Sequence, residues 1–290
     1  MKVDRPAILL LFPCLQDAYN SRCAGLVIYQ FSSRGDDLMK WSAFVSGLGG
    51  LAVVLGSFSS TLAAKPEGER FVQYGKMHEV IGQQQHQGRV KFAELVKQPH
   101  FYGVGALESL GGEATILDGK VTLTQVKSDG KLQTLKLTPR TQAALLVGGY
   151  VTDWSKHPLS QAVSSDELNS LFEQDARQSG LNIKGPFVFV IEGDFQNVEF
   201  HVINGACPIR ARMRKEALPV GKRPYEADLP KVSGKLVGVF AKDAAGNITH
   251  PGTSVHMHLL FQDTKSGEMH TGHVEKLTVA PGATLLLPEK

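Results

Sequence analysis

Residues 101–126 read FYGVGALESLGGEATILDGKVTLTQV, and this stretch indicates the fold class. Two apolar runs, at 102–107 and 114–117, are separated by a pair of glycines. Asp118-Gly119 is the pair that a two-residue β-hairpin turn prefers, because both turn positions need a left-handed backbone. The stretch therefore predicts three consecutive strands, with the third one returning after the hairpin turn.

The flanking segments extend this pattern over the rest of the chain. Further strands are predicted at 143–151, 186–192, 198–203 and 234–240, with a turn at Gly193-Asp194 and a polar, proline-rich connection over 207–231. Two or three helices are expected. The clearest begins at the capping box of residues 164–167 and ends at Gly180. The chain is strand-dominated, so its predicted class is α+β.

Composition excludes some classes of function. The chain has 290 residues, of which 42% are apolar and 20% charged, as in an ordinary globular protein with a sizeable core. A net charge of +3, without a basic run interleaved with aromatics, predicts no nucleic-acid partner. Cys14, Cys23 and Cys207 form no C-x-x-C pair, and Cys207 is expected to be a buried apolar residue rather than a nucleophile.

The N-terminal segment predicts export. Met39-Lys40 gives a short basic start, and an apolar run of small residues follows to a cleavage site after Ala63. We therefore expect a signal peptide at 39–63, a non-native extension at 1–38, and a mature periplasmic or secreted protein outside the membrane. A transmembrane anchor over 41–58 is the alternative, but this run is short and rich in glycine for a span of about 20 residues.

The histidines near the C-terminus predict a metal site. Residues 253–261 read TSVHMHLLF, and residues two apart on a strand share a face, so His256 and His258 point the same way. A turn at 263–267 brings His273 back on the neighbouring strand. Imidazole suits zinc and similar ions, and three histidines leave a coordination position open, which is typical of a catalytic site.

The sequence gives weaker support for the other histidines as metal ligands. His270 competes as the third ligand, but it is an odd number of residues from His273, so a regular strand points only one of them at the metal. The rest are expected to be ordinary surface or capping residues: His78, His86, His100, His157 and His250.

Three motifs resemble the α-acetolactate decarboxylase family. They are GVGALESLGGEATILDGK at 103–120, SVHMHLLF at 254–261, and the SG and TGHV segments between 266 and 274. Their order along the chain also matches that of the family, and the resemblance covers about residues 70–287.

This resemblance implies a fold and a set of site residues. It implies two domains built on mixed sheets, one at 70–160 and a C-terminal metal-binding, β-barrel-like unit at 161–290, in a possible homodimer. It implies zinc held by His256, His258 and His273. It also implies catalytic carboxylates at Glu113 and Glu289.

One departure from the family concerns substrate binding. Where the family has an arginine, this chain has His201. An arginine would bind a substrate carboxylate through two hydrogen bonds, and a histidine is a pH-dependent substitute. Arg210, Arg212 and Arg214 follow closely and are the candidates to supply the missing charge.

The expected activity is therefore zinc-dependent conversion of 2-acetolactate, a 2-hydroxy-3-oxo acid, to acetoin and carbon dioxide. Zinc would stabilise the enediolate, and Glu113 would manage the proton. One alternative is a cupin-like metalloenzyme, whose acidic ligand would fall at Gln262 or Asp263. Another is an exported metal-binding protein without decarboxylase activity, which the loss of the arginine favours. A purely structural role for the histidines is a third.

Overall fold

The computed structural model describes residues 70–289. The predicted extension at 1–38, the signal peptide at 39–63 and the alternative anchor at 41–58 lie outside the described residues. Within residues 70–289, no helix is long and apolar enough to cross a membrane.

Two sheets, formed one after the other along the chain, make up most of the structure. The first sheet contains β1 (Arg70–Tyr74), β2 (Val90–Lys91), β3 (Phe101–Leu107), β4 (Glu113–Leu117), β5 (Lys120–Val126), β6 (Leu132–Thr134) and β7 (Gln142–Tyr150). The second contains β8 (Trp154–Pro158), β9 (Val163–Ser164), β10 (Phe187–Val202), β11 (Tyr225–Phe240), β12 (Val255–Gln262), β13 (Met269–Val279) and β14 (Thr284–Pro288). The α-helices are α1 (Phe92–Leu95), α2 (Ser165–Gln178) and α3 (Pro208–Arg214).

All ladders between the named strands of the described chain are antiparallel, so the expectation of mixed sheets is wrong. The first sheet has the order β1-β7-β3-β4-β5-β6, with β2 beside β7, and the second has the order β8-β14-β10-β11-β12-β13-β9. Short connections join β3 to β4, β4 to β5, β5 to β6 and β12 to β13, and short turns permit antiparallel pairing alone. The predicted hairpin between β4 and β5 is present, with φ of 51° at Asp118 and 74° at Gly119.

The predicted break at Gly193-Asp194 is absent. Both residues lie inside β10, where they pair with Gly234 and Ser233 of β11. The connection predicted at 207–231 is also shorter than expected, because β11 already begins at Tyr225 and contains the proline that suggested a loop. Two 16-residue strands pair along their whole lengths, and this pairing outweighs the local turn preference.

One apolar cluster joins the two sheets. Tyr102, Val104 and Val147 of the first sheet cluster with Val188 and Val190 of the second. On the other face of the second sheet, Leu168 and Phe172 of α2 are fully buried against apolar residues of that sheet. Burial of each such side chain stabilises the folded state by roughly 1.5–3 kcal/mol. The sheets divide the chain between residues 150 and 154. The two-domain division at 160/161 stays a prediction, as does the barrel-like unit, although β10 pairs with both β11 and β13.

Candidate metal centre

The strand register brings four histidines to one face of the second sheet. His273 lies opposite His201 of β10 and opposite His258 of β12. Residues directly opposite each other in an antiparallel pair point to the same side. His256 precedes His258 by two residues and therefore shares its face, while Met257 between them joins the core on the other face, as the alternation predicts.

These four imidazoles are close together and buried. Ring centroids are 4.9 Å apart for His201 and His273, 5.2 Å for His256 and His273, and 5.7 Å for His258 and His273. Burial lowers the pKa of His256 to about 3, and it lowers the pKa values of His258 and His273 well below the usual range. These three rings are therefore neutral at pH 7, which is the form of imidazole that binds a metal.

His250 joins this cluster, which corrects the expectation that it is an ordinary surface or capping residue. The residue as a whole is half-buried, but its imidazole is enclosed. Its ring centroid lies 4.9 Å from that of His273 and 5.8 Å from that of His256. Burial, together with the nearby His201 ring, lowers the pKa of His250 to about 4. His250 comes from the loop between β11 and β12, where strand periodicity gives no signal.

The cluster fits a metal ion. His250, His256 and His273 each have one ring nitrogen within 4.8 Å of those of the other two. This set differs from the predicted ligands, because it contains His250 in place of His258. Nδ1 of His256 and Nε2 of His258 are buried without a hydrogen-bond partner, and a bound cation would satisfy such atoms. Both rings also hydrogen-bond to backbone carbonyl groups, as metal-binding histidines commonly do.

Glu113 faces the histidines from the first sheet. It follows Gly112, which has a φ of +151° and where a Cβ would lie 2.2 Å from the carbonyl oxygen of Thr124, so a side chain is excluded there. Oε1 of Glu113 accepts a hydrogen bond of 3.4 Å from the N–H of Ile203, and Oε2 lies 3.7 Å from Nε2 of His258. Glu113 is 3% exposed, and this burial raises its pKa to about 8, so the carboxyl group is protonated at pH 7.

His201 is tied to a carboxylate that the sequence analysis did not single out. Nδ1 of His201 lies 2.9 Å from Oε1 of Glu275, and Arg212 donates to the same oxygen from the outside. Although partial burial opposes it, these two hydrogen bonds lower the pKa of Glu275 to about 2. Glu275 lies two residues after His273 on β13, and that spacing is the signal that could have identified it.

The arginines proposed to replace the family's cation lie elsewhere. All three are on α3, where Arg212 also pairs with Glu226, and Arg210 pairs with Glu216. In the part of the chain that the structure describes, no arginine lines the cavity between Glu113 and the histidines.

Glu289 and His270 do not join the cluster either. Glu289 is exposed and follows β14. β14 pairs with β8 and with Val190–Glu192 of β10, whereas His201 lies near the C-terminal end of β10. The catalytic role of Glu289 stays a prediction. His270 lies opposite Phe261, on the other face of β13 from His273. His78, His86, His100 and His157 also lie outside the cavity wall.

The cavity is small and closed by apolar groups. Its volume is about 20 Å³, which is room for about one water molecule. Cys207 lines it, and burial raises the pKa of this thiol to about 11, so it is not a ready nucleophile. Met77, Ile81 and His250 line both this cavity and a neighbouring groove of about 270 Å³, which also contains Arg210. His250 therefore lies at the boundary between the two spaces.

Solved structures share this fold. The acetolactate decarboxylase from Bacillus subtilis subspecies spizizenii matches with a TM-score of 0.57 at 17% identity, over 76% of this chain and 86% of its own. The alpha-acetolactate decarboxylase from Bacillus subtilis strain 168 gives the same TM-score and identity, over 76% and 85%. A Staphylococcus aureus protein of unknown function, similar to alpha-acetolactate decarboxylase, has a TM-score of 0.51 at 15% identity, over 75% and 84%. No curated protein sequence matches the chain.

The sequence profile of one family matches most of the chain. This family is described as Alpha-acetolactate decarboxylase, and the match extends over residues 72–286. It includes both sheets and every member of the histidine and Glu113 cluster. The chain belongs to the α-acetolactate decarboxylase family.

Proposed function

We propose that the protein is a zinc-dependent decarboxylase that converts 2-acetolactate to acetoin and carbon dioxide. The observation that carries this proposal is one cavity that joins neutral histidines, able to hold a metal, with the buried carboxyl group of Glu113. Family membership supports the same reaction. Zinc is the expected ion because a donor set made of imidazole nitrogens suits it.

The proposed reaction needs a proton donor for C2 of the substrate. A divalent ion held by the histidines would supply Lewis-acid polarisation of the substrate's hydroxyl and keto oxygens. The bond between C2 and the carboxylate breaks, carbon dioxide leaves, and the electron pair stays on the substrate as an enediolate. Glu113 then gives its proton to C2, which completes acetoin, and regains a proton from solvent. Because Oε1 accepts the N–H of Ile203, Oε2 is the oxygen that holds this proton.

A second candidate function is metal binding without decarboxylation. It is favoured by the cavity volume of about 20 Å³ and by the position of Arg210 in the outer groove rather than in the cavity. The cupin-like alternative gains no such support, because its acid positions, Gln262 and Asp263, lie at and beyond the end of β12 and outside the cavity wall.

The two candidates differ in one assay. The full chain, loaded with zinc, is mixed with freshly made racemic 2-acetolactate, and acetoin is measured with and without a strong chelator. A decarboxylase is expected to form acetoin above the spontaneous rate, and the chelator should remove this excess. A folded, zinc-loaded protein that forms no excess acetoin would contradict the decarboxylase proposal and favour metal binding alone.

Glu113→Gln tests the role of the carboxyl group. The amide keeps the size of the side chain but cannot deliver the proton, so turnover is expected to fall at least about 100-fold while zinc remains bound. Glu94→Gln is the matched control, because Glu94 is exposed on α1. Full activity in Glu113→Gln, or loss of activity in both variants, would contradict the assigned role.

A further inference from the structure

We propose that His250 is itself a metal ligand in this chain, supplied by the loop between β11 and β12. The inference rests on the proposed metal site and extends it, because the family resemblance implies only His256, His258 and His273 as ligands. It is drawn from the position of a residue to which the sequence pattern assigned no chemistry.

The distances place His250 with His256 and His273 in one possible ligand set. Ligand nitrogens of one tetrahedral zinc ion lie about 3.4 Å apart, given Zn–N distances of about 2.0–2.1 Å. The nitrogens of His250, His256 and His273 lie within 4.8 Å of one another, so each needs a movement of about 1 Å to reach a common ion. Nε2 of His258 lies 3.7 Å from Oε2 of Glu113, which is too far for a hydrogen bond, so His258 can serve the same ion beside these three.

The loop holds His250 in place from both sides. Backbone N–H groups of the segment after β1 donate to the carbonyls of Gly246 and Asn247. On the other side, Oγ1 of Thr249 donates to the carbonyl of Thr253 at 2.6 Å, and Thr249 is fully buried. A side chain carried by a fixed backbone loses little freedom when it binds a metal, so the loop presents His250 already oriented.

The position of His250 also affects how a substrate reaches the metal. It is the histidine shared by the cavity of about 20 Å³ and the groove of about 270 Å³. A ligand at this boundary separates the ion from the groove. A substrate that arrives through the groove, past the cations Arg210 and Arg214, therefore meets His250 before its oxygens reach the metal.

The test uses the full chain and two readouts besides activity. Zinc affinity is measured by competition with a chromogenic chelator, and the Co²⁺-substituted protein is followed by its visible absorption spectrum. His250→Ala is expected to weaken zinc binding about 100-fold or more, on the scale of the losses known for metal-site residues. It should also change the Co²⁺ spectrum, because a nitrogen donor is lost, and added imidazole should restore that spectrum.

Two further variants make the outcome decisive. His100→Ala removes a histidine that pairs with Asp118 at the surface, and it should change neither readout. His256→Ala should abolish tight binding. Unchanged affinity and spectrum in His250→Ala, with loss in His256→Ala, would overturn the role of His250 and leave the metal site standing. Unchanged binding in both would overturn the metal site and with it the proposed function. If His250→Ala does not fold by circular dichroism, His250→Gln is judged by the same criteria.

Discussion

His201 stands where the family resemblance implies an arginine. The residue is 2% exposed, its ring centroid lies 4.9 Å from that of His273, and its Nδ1 is hydrogen-bonded to Glu275. Arg212 pairs with the same carboxylate of Glu275 and does not line the cavity. Among the described residues, the wall of the cavity contains the carboxyl group of Glu113 and several imidazole rings, but no arginine that could bind a substrate carboxylate.

His201→Arg is expected to lower KM for 2-acetolactate about tenfold or more. A guanidinium group binds a carboxylate through paired charge-assisted hydrogen bonds, each contributing about 1.5–3 kcal/mol. Glu275 is already paired with Arg212, so the new side chain can turn to the cavity. Steady-state kinetics of the zinc-loaded variant measure the effect. His201→Gln, which adds no charge, should show no such gain. If His201→Arg binds substrate no better than the parent, the missing arginine does not limit binding.

Among the elements, α2 shows most directly how local sequence determines structure. The carboxylate of Glu167 accepts hydrogen bonds from the backbone N–H and the hydroxyl of Ser164, at 2.8 and 2.7 Å. Ser164→Ala is expected to lower the free energy of unfolding by about 1 kcal/mol, because it removes the N-cap hydroxyl. Urea unfolding measures the change. Ser170→Ala, at an exposed position inside the same helix, should be neutral within about 0.5 kcal/mol. Equal effects of the two substitutions would contradict the capping role.

Local patterns predicted the short elements well and the long strands poorly. The capping box gave the start of α2, and Asp118-Gly119 gave the hairpin between β4 and β5, because both signals act within a few residues. The turn predicted at Gly193-Asp194 is wrong, since pairing with β11, some 40 residues later, and with β13 and β14 keeps β10 extended there. A contact at that separation is not visible in the periodicity of either segment.

For the candidate site, too, local sequence patterns do not reveal long-range contacts. His256 and His258 were found from the two-residue period of a strand, and the register with β13 then brings His273 beside them. His250 was missed because it lies in a loop, whose path is set by hydrogen bonds to the segment after β1. The catalytic role of Glu289 has a different basis: it comes from the family resemblance alone and stays a prediction, and Glu289 follows β14, which pairs with β8 and β10.

At the scale of the whole molecule, the site depends on the packing of one sheet on the other. The histidines belong to the second sheet, whereas Glu113 belongs to the first. Thr115 of β4 hydrogen-bonds Thr271 of β13, and the N–H of Thr271 donates to Oγ1 of Thr124, so buried polar contacts hold the two sheets in register next to the site. Unfolding of either sheet would therefore separate the carboxyl group from the rings.

Metal binding should for this reason stabilise the entire described fold. An ion that binds the folded state alone adds about 2.7 kcal/mol of stability when its free concentration is 100 times Kd. Thermal unfolding of the zinc-loaded full chain should therefore show a lower Tm after a strong chelator is added, and excess zinc should restore it. His256→Ala is the control, and its Tm should respond to neither addition. A parent protein whose Tm is the same with zinc and with chelator would mean that the buried histidines are a structural cluster, held together by packing and hydrogen bonds without an ion.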